Sequence, residues 1–337
     1  MASASSVQLG DGLSVSPLGF GGMALTPVYG AVDPAEALRT LHHAVDAGVS
    51  FIDTADIYGG GSNEELIAQL LKERRGEVQL ATKFGLVGTP SAGYTDIRGD
   101  RAYVKQAVEA SLKRLGTDTI DLYYMHRRDL RVPIVETVEA MAELVQQGKV
   151  RHLGLSEVTA EELREASGVH PIAAVQSEWS IWSRDVERNV VPAAAGLGVG
   201  FVPYSPLGRG FLTGTVDAAR LGSDDFRRKI PRFAEEAADA NRGVVAAVQA
   251  VAAELSVAGQ HATPAQVALA WLLAQGRRLN LPVVPIPGTR KAERIDENLG
   301  ALSLNFTTAQ LEKLDAAADA VVGSRSADPN WVSEGRE

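Results

Sequence analysis

Between Pro17 and Leu299, short apolar runs of strand length alternate almost without interruption with amphipathic stretches of helical period. That alternation restricts the chain to parallel β/α units. The apolar runs span residues 18–22, 49–55, 78–84, 120–126, 150–155, 172–177, 199–205 and 283–287. Eight such units specify an α/β fold of the (β/α)8 (TIM) barrel type, because an open doubly wound sheet seldom needs that many regular repeats. The 337 residues suit one barrel, since barrels run past about 250 residues as one domain. No composition shift marks a linker, so one barrel domain over residues 1–337 is expected.

Helices are expected over residues 34–47, 63–74, 101–115, 134–147 and 264–275, with Asp33, Ser62 and Thr263 as N-caps and Gly48, Gly116 and Gly148 as stops. Ahead of the first unit, Asp11-Gly12 signals a β-hairpin placed to plug one end of the barrel. One stretch breaks the regularity. Residues 208–239, after the seventh run, are too long for an ordinary connection, and loops of that length are usually lids or disordered segments.

Composition then excludes whole classes of function. A formal charge of -9, from 42 acidic and 33 basic side chains, lacks the basic footprint that phosphate neutralisation demands, so nucleic acid is not expected as a partner. No apolar stretch approaches the roughly 20 residues of a membrane span, and MASASSVQLG lacks the basic and apolar regions of a signal peptide. A cytoplasmic location is the expectation. With no cysteine, disulfides, thiolate nucleophiles and cysteine-ligated metals are excluded. The six histidines form no HExxH pair, and adjacent His42 and His43 diverge by about 100° on a helix. No metal site is expected.

In a barrel the reactive groups gather at the carboxyl ends of the strands. There the second run carries Asp53, followed by Tyr58, the third Lys83 and the fourth His126. Singly, these read as an N-cap or ion pair, a loop anchor, a solvated strand end and a core histidine. Jointly they gain weight, because a lysine and a histidine ending apolar strands are costly to bury without partners. Asp53 can neutralise Lys83, and a cation beside Tyr58 is expected to lower a phenol pKa that starts near 10, fitting it for acid-base work on oxygen.

The runs FIDTADIYGGGSNEELIAQLL, LATKFG, IDLYYMHRRD, GKVRHLGLSE, VPYSPLGRGFLTG and IPGTRKAERIDENLGAL resemble, in order and spacing, the aldo-keto reductase superfamily over nearly the whole chain. YGGGSNEELI and DDFRRKIPRF resemble its microbial and plant branch acting on aldehydes and ketones. The resemblance implies a barrel that binds NADP without a Rossmann fold and acts on a small-molecule carbonyl substrate. It implies a catalytic tetrad of Asp53, Tyr58, Lys83 and His126, with Tyr58 the proton donor. It places the nicotinamide beside Ser156, Gln176 and a stacking Tyr204, with Ser205, Leu207 and Arg209 along the cofactor. The adenosine 2'-phosphate falls to Gly288, Thr289, Arg290 and Arg294, with Glu297 and Asn298 beside the adenine.

Two positions depart from that pattern: Glu157 stands where most relatives have asparagine, and Gly288 where many carry lysine. Gly19, Gly21 and Ala24 spell a short dinucleotide fingerprint, but Pro27, Tyr29 and Gly30 intervene before any helix, so a barrel turn is expected instead. Pocket walls are expected from Tyr29, Phe84, Met125, Arg127, Trp179 and Trp331. The 208–239 loop is expected to fold over the cofactor, with Arg209, Arg227, Arg228 and Lys229 near its pyrophosphate. Two other readings stand beside the reductase: a cofactor-binding regulatory barrel similar to potassium-channel β subunits, and an aldolase-like barrel in which an unpaired Lys83 forms a Schiff base.

Overall fold

The computed structural model describes residues 6–89, 93–223 and 225–337. The chain opens with an antiparallel pair, β1 (Val7–Gln8) and β2 (Ser14–Val15). The turn between them is longer than two residues, but Asp11 and Gly12 do supply its left-handed corner, at φ 53° and 74°. Leu9, Leu13 and Val15 enter the barrel floor against Phe51, Leu122, Ala173 and Val202. The hairpin therefore plugs the barrel, as its sequence implied.

The barrel strands that follow are β3 (Phe20–Gly21), β4 (Phe51–Asp53) and β5 (Gln79–Phe84). A second hairpin, β6 (Leu86–Thr89) with β7 (Gly93–Ile97), then precedes β8 (Ile120–Met125), β9 (Val150–Ser156), β10 (Ile172–Glu178) and β11 (Gly200–Tyr204). Seven of these form one parallel sheet in the order β11-β10-β9-β8-β5-β4-β3. The eighth expected strand closes the ring without regular strand geometry. Its segment, Pro282 to Pro287, bonds β11 on one side (Phe201 N to Pro282 O, 2.8 Å; Val284 N to Phe201 O, 2.9 Å) and the first strand on the other (Gly19 N to Pro285 O, 2.9 Å). Three prolines lack the N–H groups a continuous ladder needs, which accounts for the difference.

Close approach at this seam also explains the glycines that mimic a dinucleotide fingerprint. A Cβ on Gly21 would lie 2.7 Å from Ile286 O, and one on Gly19 2.8 Å from an Ile286 methyl. They are seam glycines of the barrel turn.

Helices α1 (Pro34–Asp46), α2 (Ser62–Arg74), α3 (Arg101–Leu115), α4 (Ile134–Gln146), α5 (Ala160–Val169) and α6 (Val190–Leu197) surround the sheet. They are followed by α7 (Glu235–Ala240), α8 (Arg242–Val257), α9 (Pro264–Leu279), α10 (Ala292–Leu299) and α11 (Thr308–Ala318). Asp33 caps α1 through Ala35 N and Glu36 N, and Thr263 forms a capping box with Gln266 on α9. Ser62 is not a cap. Gly61 takes that place in left-handed geometry, and the Ser62 hydroxyl donates back to Gly59 O.

Because strands alternate faces, two cores form. Ile52, Leu80, Phe84, Tyr123, Met125 and Val175 face the helices. Phe51, Ala81, Leu122, Tyr124, Ala174, Val202, Val284 and Ile286 fill the barrel. Gly154 allows this, since a Cβ there would sit 2.4 Å from the Tyr124 ring. Among the described residues, no helix is long and apolar enough to cross a membrane.

Candidate active site

The same parity that fills the barrel positions its chemistry. Continuing the inward-facing positions to the carboxyl ends gives Asp53 after Phe51, Lys83 after Ala81, His126 after Tyr124, Gln176 after Ala174 and Tyr204 after Val202. Ser156 takes the matching place on β9, paired in register with Gln176. Tyr58 arrives differently. Gly59, Gly60 and Gly61 all have positive φ, a turn that side chains resist, and this run folds the β4–α2 loop so that Tyr58 stands over the barrel mouth.

Four sequence-expected catalytic residues meet there. Lys83 Nζ is 2.5 Å from Asp53 Oδ1, donates to Thr54 O at 2.8 Å, and reaches the Tyr58 hydroxyl at 3.4 Å. Gln176 donates to the other Asp53 oxygen at 2.9 Å. The His126 ring meets Tyr58 edge-on, with centroids 5.9 Å apart. Lys83 is thus fully engaged, which removes the aldolase reading that needed it free of a carboxylate.

The electrostatics correct one expectation. Tyr58 is partly accessible from the cavity yet enclosed by protein, and this desolvation, with the Asp53 carboxylate adding to it, holds the phenol well above its ordinary pKa; Arg127 opposes weakly. Lys83 does not bring it toward neutrality. Burial lowers the Lys83 ammonium and raises Asp53, each against the pull of its partner. Burial, with the Arg127 and Lys83 charges, pushes His126 well below its usual range, so it is a neutral imidazole. The phenol is a protonated hydroxyl beside a neutral ring.

Tyr58, Asp53 and His126 line a cavity of about 910 Å³, together with Ser156, Gln176, Tyr204, Ser205, Leu207 and Arg209. Gly288, Thr289, Arg290, Lys291 and Arg294 border the same cavity. The Arg290 guanidinium donates to Tyr29 O, Gly30 O and Ala31 O, so it braces the loop after β3. Arg294 is half out in solvent and pairs with Glu297. Glu297 and Asn298 do not border the cavity, and Asn298 is buried in α10. Gly288 has a steric cause: a Cβ would sit 2.5 Å from Gly21 O and 2.8 Å from the Ala24 Cβ.

Of the expected pocket walls, Tyr29, Arg127 and Trp331 line the cavity, whereas Phe84, Met125 and Trp179 do not. Phe84 and Met125 occupy the outward parity. Phe84 stacks on Tyr123 at 4.9 Å, and Trp179 stands edge-on to Phe201 and Trp271. Within the expected loop, Gly208–Thr213, Ala218–Arg220, Phe226–Lys229 and Pro231–Phe233 form 3-10 turns ahead of α7, with Arg209, Gly210, Phe226, Arg227, Lys229 and Ile230 on the cavity and Arg228 off it. Arg209 bonds Glu178 at 3.2 Å and Tyr29 Oη at 3.4 Å.

Two features escaped the sequence. Tyr94, on the second hairpin, stacks on Trp331 at 5.1 Å and walls the cavity. Glu157 is fully buried at φ 52° and binds Arg325 through both oxygens, at 2.8 and 3.0 Å, while accepting from Tyr204 Oη, Ser333 N and Glu178 N. Against its desolvation, the Arg325 guanidinium holds this carboxyl far below the usual carboxylate range. The departure at 157 is a latch for the C-terminal segment. Its only signal was an acid where a neutral amide was expected.

Known proteins carry the same organisation. Residues 17–319 match the Aldo/keto reductase family. A Glycine max protein named "Probable aldo-keto reductase 1" is 43% identical over 313 residues, 91% of this chain and 87% of that one. A glycerol dehydrogenase of Gluconobacter oxydans superposes with a TM-score of 0.83 at 27% identity, over 97% of this chain and 99% of that one. An aldo-keto reductase of Bacillus halodurans in its holo form superposes with a TM-score of 0.75, also at 27% identity, over 96% and 100%. This chain, a (β/α)8 oxidoreductase by its matches and its architecture, belongs to the aldo/keto reductase family.

Proposed function

We propose that the protein is an NADPH-dependent oxidoreductase that reduces an aldehyde or ketone to an alcohol, reversibly, with Tyr58 giving the proton. The observation that carries this reading is a neutral phenol facing the cavity, 3.4 Å from a lysine that is itself held by an aspartate. A general acid must be protonated at working pH and must lie within reach of the oxygen it serves. Burial keeps Tyr58 protonated, and the barrel mouth presents it.

The cavity suits a nicotinamide dinucleotide. The backbone of Gly21 and Gly288 approaches so closely at its wall that no Cβ fits between them, and Lys291 and Arg294 bring cations to the cavity beside the carboxylates of Asp33 and Glu36. Ser156 and Gln176 are the groups for the carboxamide, and Tyr204 for the ring face. Ser205, Leu207 and Arg209 would run alongside, with Gly288, Thr289 and Arg294 for the 2'-phosphate. Arg290 supports the loop that walls the cavity there, and Glu297 and Asn298 hold α10 behind it. The cofactor, when bound, supplies the hydride. Tyr58 passes its proton to the carbonyl oxygen, the Lys83 cation stabilises the phenolate left behind, and Asp53 and Gln176 keep Lys83 in place. His126, neutral and fixed edge-on to Tyr58, orients the carbonyl. A panel of aldehydes and ketones, including sugars, pyridoxal and aromatic aldehydes, tested for NADPH consumption checks the reading; no consumption with any of them would overturn it.

A further inference from the structure

Arg127 follows directly on His126, lines the cavity and is 8% exposed. A guanidinium that deep needs an anion, because its desolvation is otherwise uncompensated. Its acceptors here are neutral: Nη1 donates to His126 O at 2.7 Å and to Ser156 Oγ at 3.2 Å. Nε is buried with no partner. Among the described residues, no carboxylate lies within ion-pair distance of it. The other two buried arginines are not left this way: Arg325 pairs with Glu157 and Asp185, and Arg232 faces Glu178 at 3.9 Å. Glu157, whose field Arg127 also feels, is saturated by Arg325, Ser333 and Tyr204. What covers Arg127 is the Trp331 indole, 5.0 Å from the guanidinium carbon, and Trp331 in turn stacks on Tyr94. That aromatic pair shields the cation from water and offers a flat wall to a substrate.

We infer that the cavity selects carbonyl compounds bearing a second, anionic group, a carboxylate or a phosphate, which Arg127 receives while the carbonyl oxygen meets Tyr58. This rests on the proposed carbonyl reduction and narrows its substrate class. A planar guanidinium binds either anion through paired N–H groups, so the chemistry is shared and the two sources are separated by experiment.

The test uses matched pairs with the full-length protein: 4-carboxybenzaldehyde against 4-methylbenzaldehyde, and glyceraldehyde 3-phosphate against glyceraldehyde, each as kcat/KM with NADPH. In parallel, calorimetry on the NADP-saturated protein compares 4-(hydroxymethyl)benzoate with 4-methylbenzyl alcohol, and glycerol 3-phosphate with glycerol, a readout that needs no turnover. The anionic member of at least one pair is expected to be favoured by about tenfold or more, the worth of one charge-assisted contact, and the favoured pair identifies the anion. Arg127→Met should erase that preference and Arg127→Lys restore part of it, while NADPH affinity stays within about threefold. No preference in either pair, or one that survives Arg127→Met, overturns the inference. So does a loss of both members together with NADPH affinity, which would make Arg127 a cofactor contact through Ser156. An anion preference in calorimetry without reduction of any carbonyl would leave this site standing and overturn the reductase reading alone.

Discussion

At the residue scale, the decisive quantity is which protonation state each buried group holds. With Tyr58 raised far above neutrality and His126 lowered below it, neither changes charge near neutral pH. The kcat of reduction should therefore show no step in the ordinary histidine range, about pH 6 to 7, and should fall at high pH, where the acid form of Tyr58 is lost. A step in kcat near the ordinary histidine range would contradict this. Lys83→Met should cut kcat by about a hundredfold or more, within the range for impaired acid catalysis, since the phenolate loses its cation; turnover within a small factor of the parent would exclude that role. Asp56, just before Tyr58, gives a stability signature. Desolvation and then the Glu64 charge push its carboxyl up to about 8, and its Oδ1 is buried without a partner. A carboxyl raised on folding stabilises most below its unfolded pKa, about 3.9, and that contribution is lost as pH rises toward the folded value. Asp56→Asn should flatten the decline of Tm between pH 5 and 8 and exceed the parent at pH 8; parallel curves would refute it. That Asp53, Lys83 and His126 share one barrel mouth was legible in sequence because strand ends and parity are local properties. The sign of the Tyr58 shift was not, because desolvation depends on every wall of the finished cavity.

Elements carry the next level of the account. Strand parity explains why Asp53, Lys83 and Gln176 converge while Phe84 and Met125, equally near the strand ends, face the helices. The eight runs were legible, but the last one hides its irregular geometry in three prolines that bond its neighbours only intermittently. The second hairpin went unread because β6 and β7 lie within the connection between barrel units and pair only with each other. Long-range latches are equally silent in sequence: nothing local links Glu157 to Arg325. Breaking that buried pair should cost about 3–5 kcal/mol. Glu157→Gln, which leaves Arg325 facing Asp185 alone, should show this in urea unfolding at neutral pH and should expose residues 325–333 to proteolysis; unchanged stability would make the latch incidental. The loop after β11 makes a separate prediction. If it closes over the cofactor, NADPH should protect Arg227, Arg228 and Lys229 from trypsin, and equal cleavage with and without saturating NADPH would leave the loop a mere wall of the cavity.

Across the whole molecule, Tyr58 and Arg294 border one cavity, and under the proposed function cofactor choice and chemistry are separable by mutation. Arg294→Ala should weaken NADPH by about tenfold or more, the worth of one charge-assisted contact, with little effect on NADH, as read by fluorescence titration. Equal weakening of both would assign Arg294 to the structure of α10 through Glu297. The central claim is that the neutral Tyr58 phenol is the proton source for carbonyl reduction. Its most direct test is the single-turnover rate of Tyr58→Phe with saturating NADPH and the best aldehyde of the panel. The account predicts a fall of about a hundredfold to ten-thousandfold, as expected for loss of a general acid, with NADPH affinity within a small factor of the parent. A rate within tenfold of the parent would contradict it.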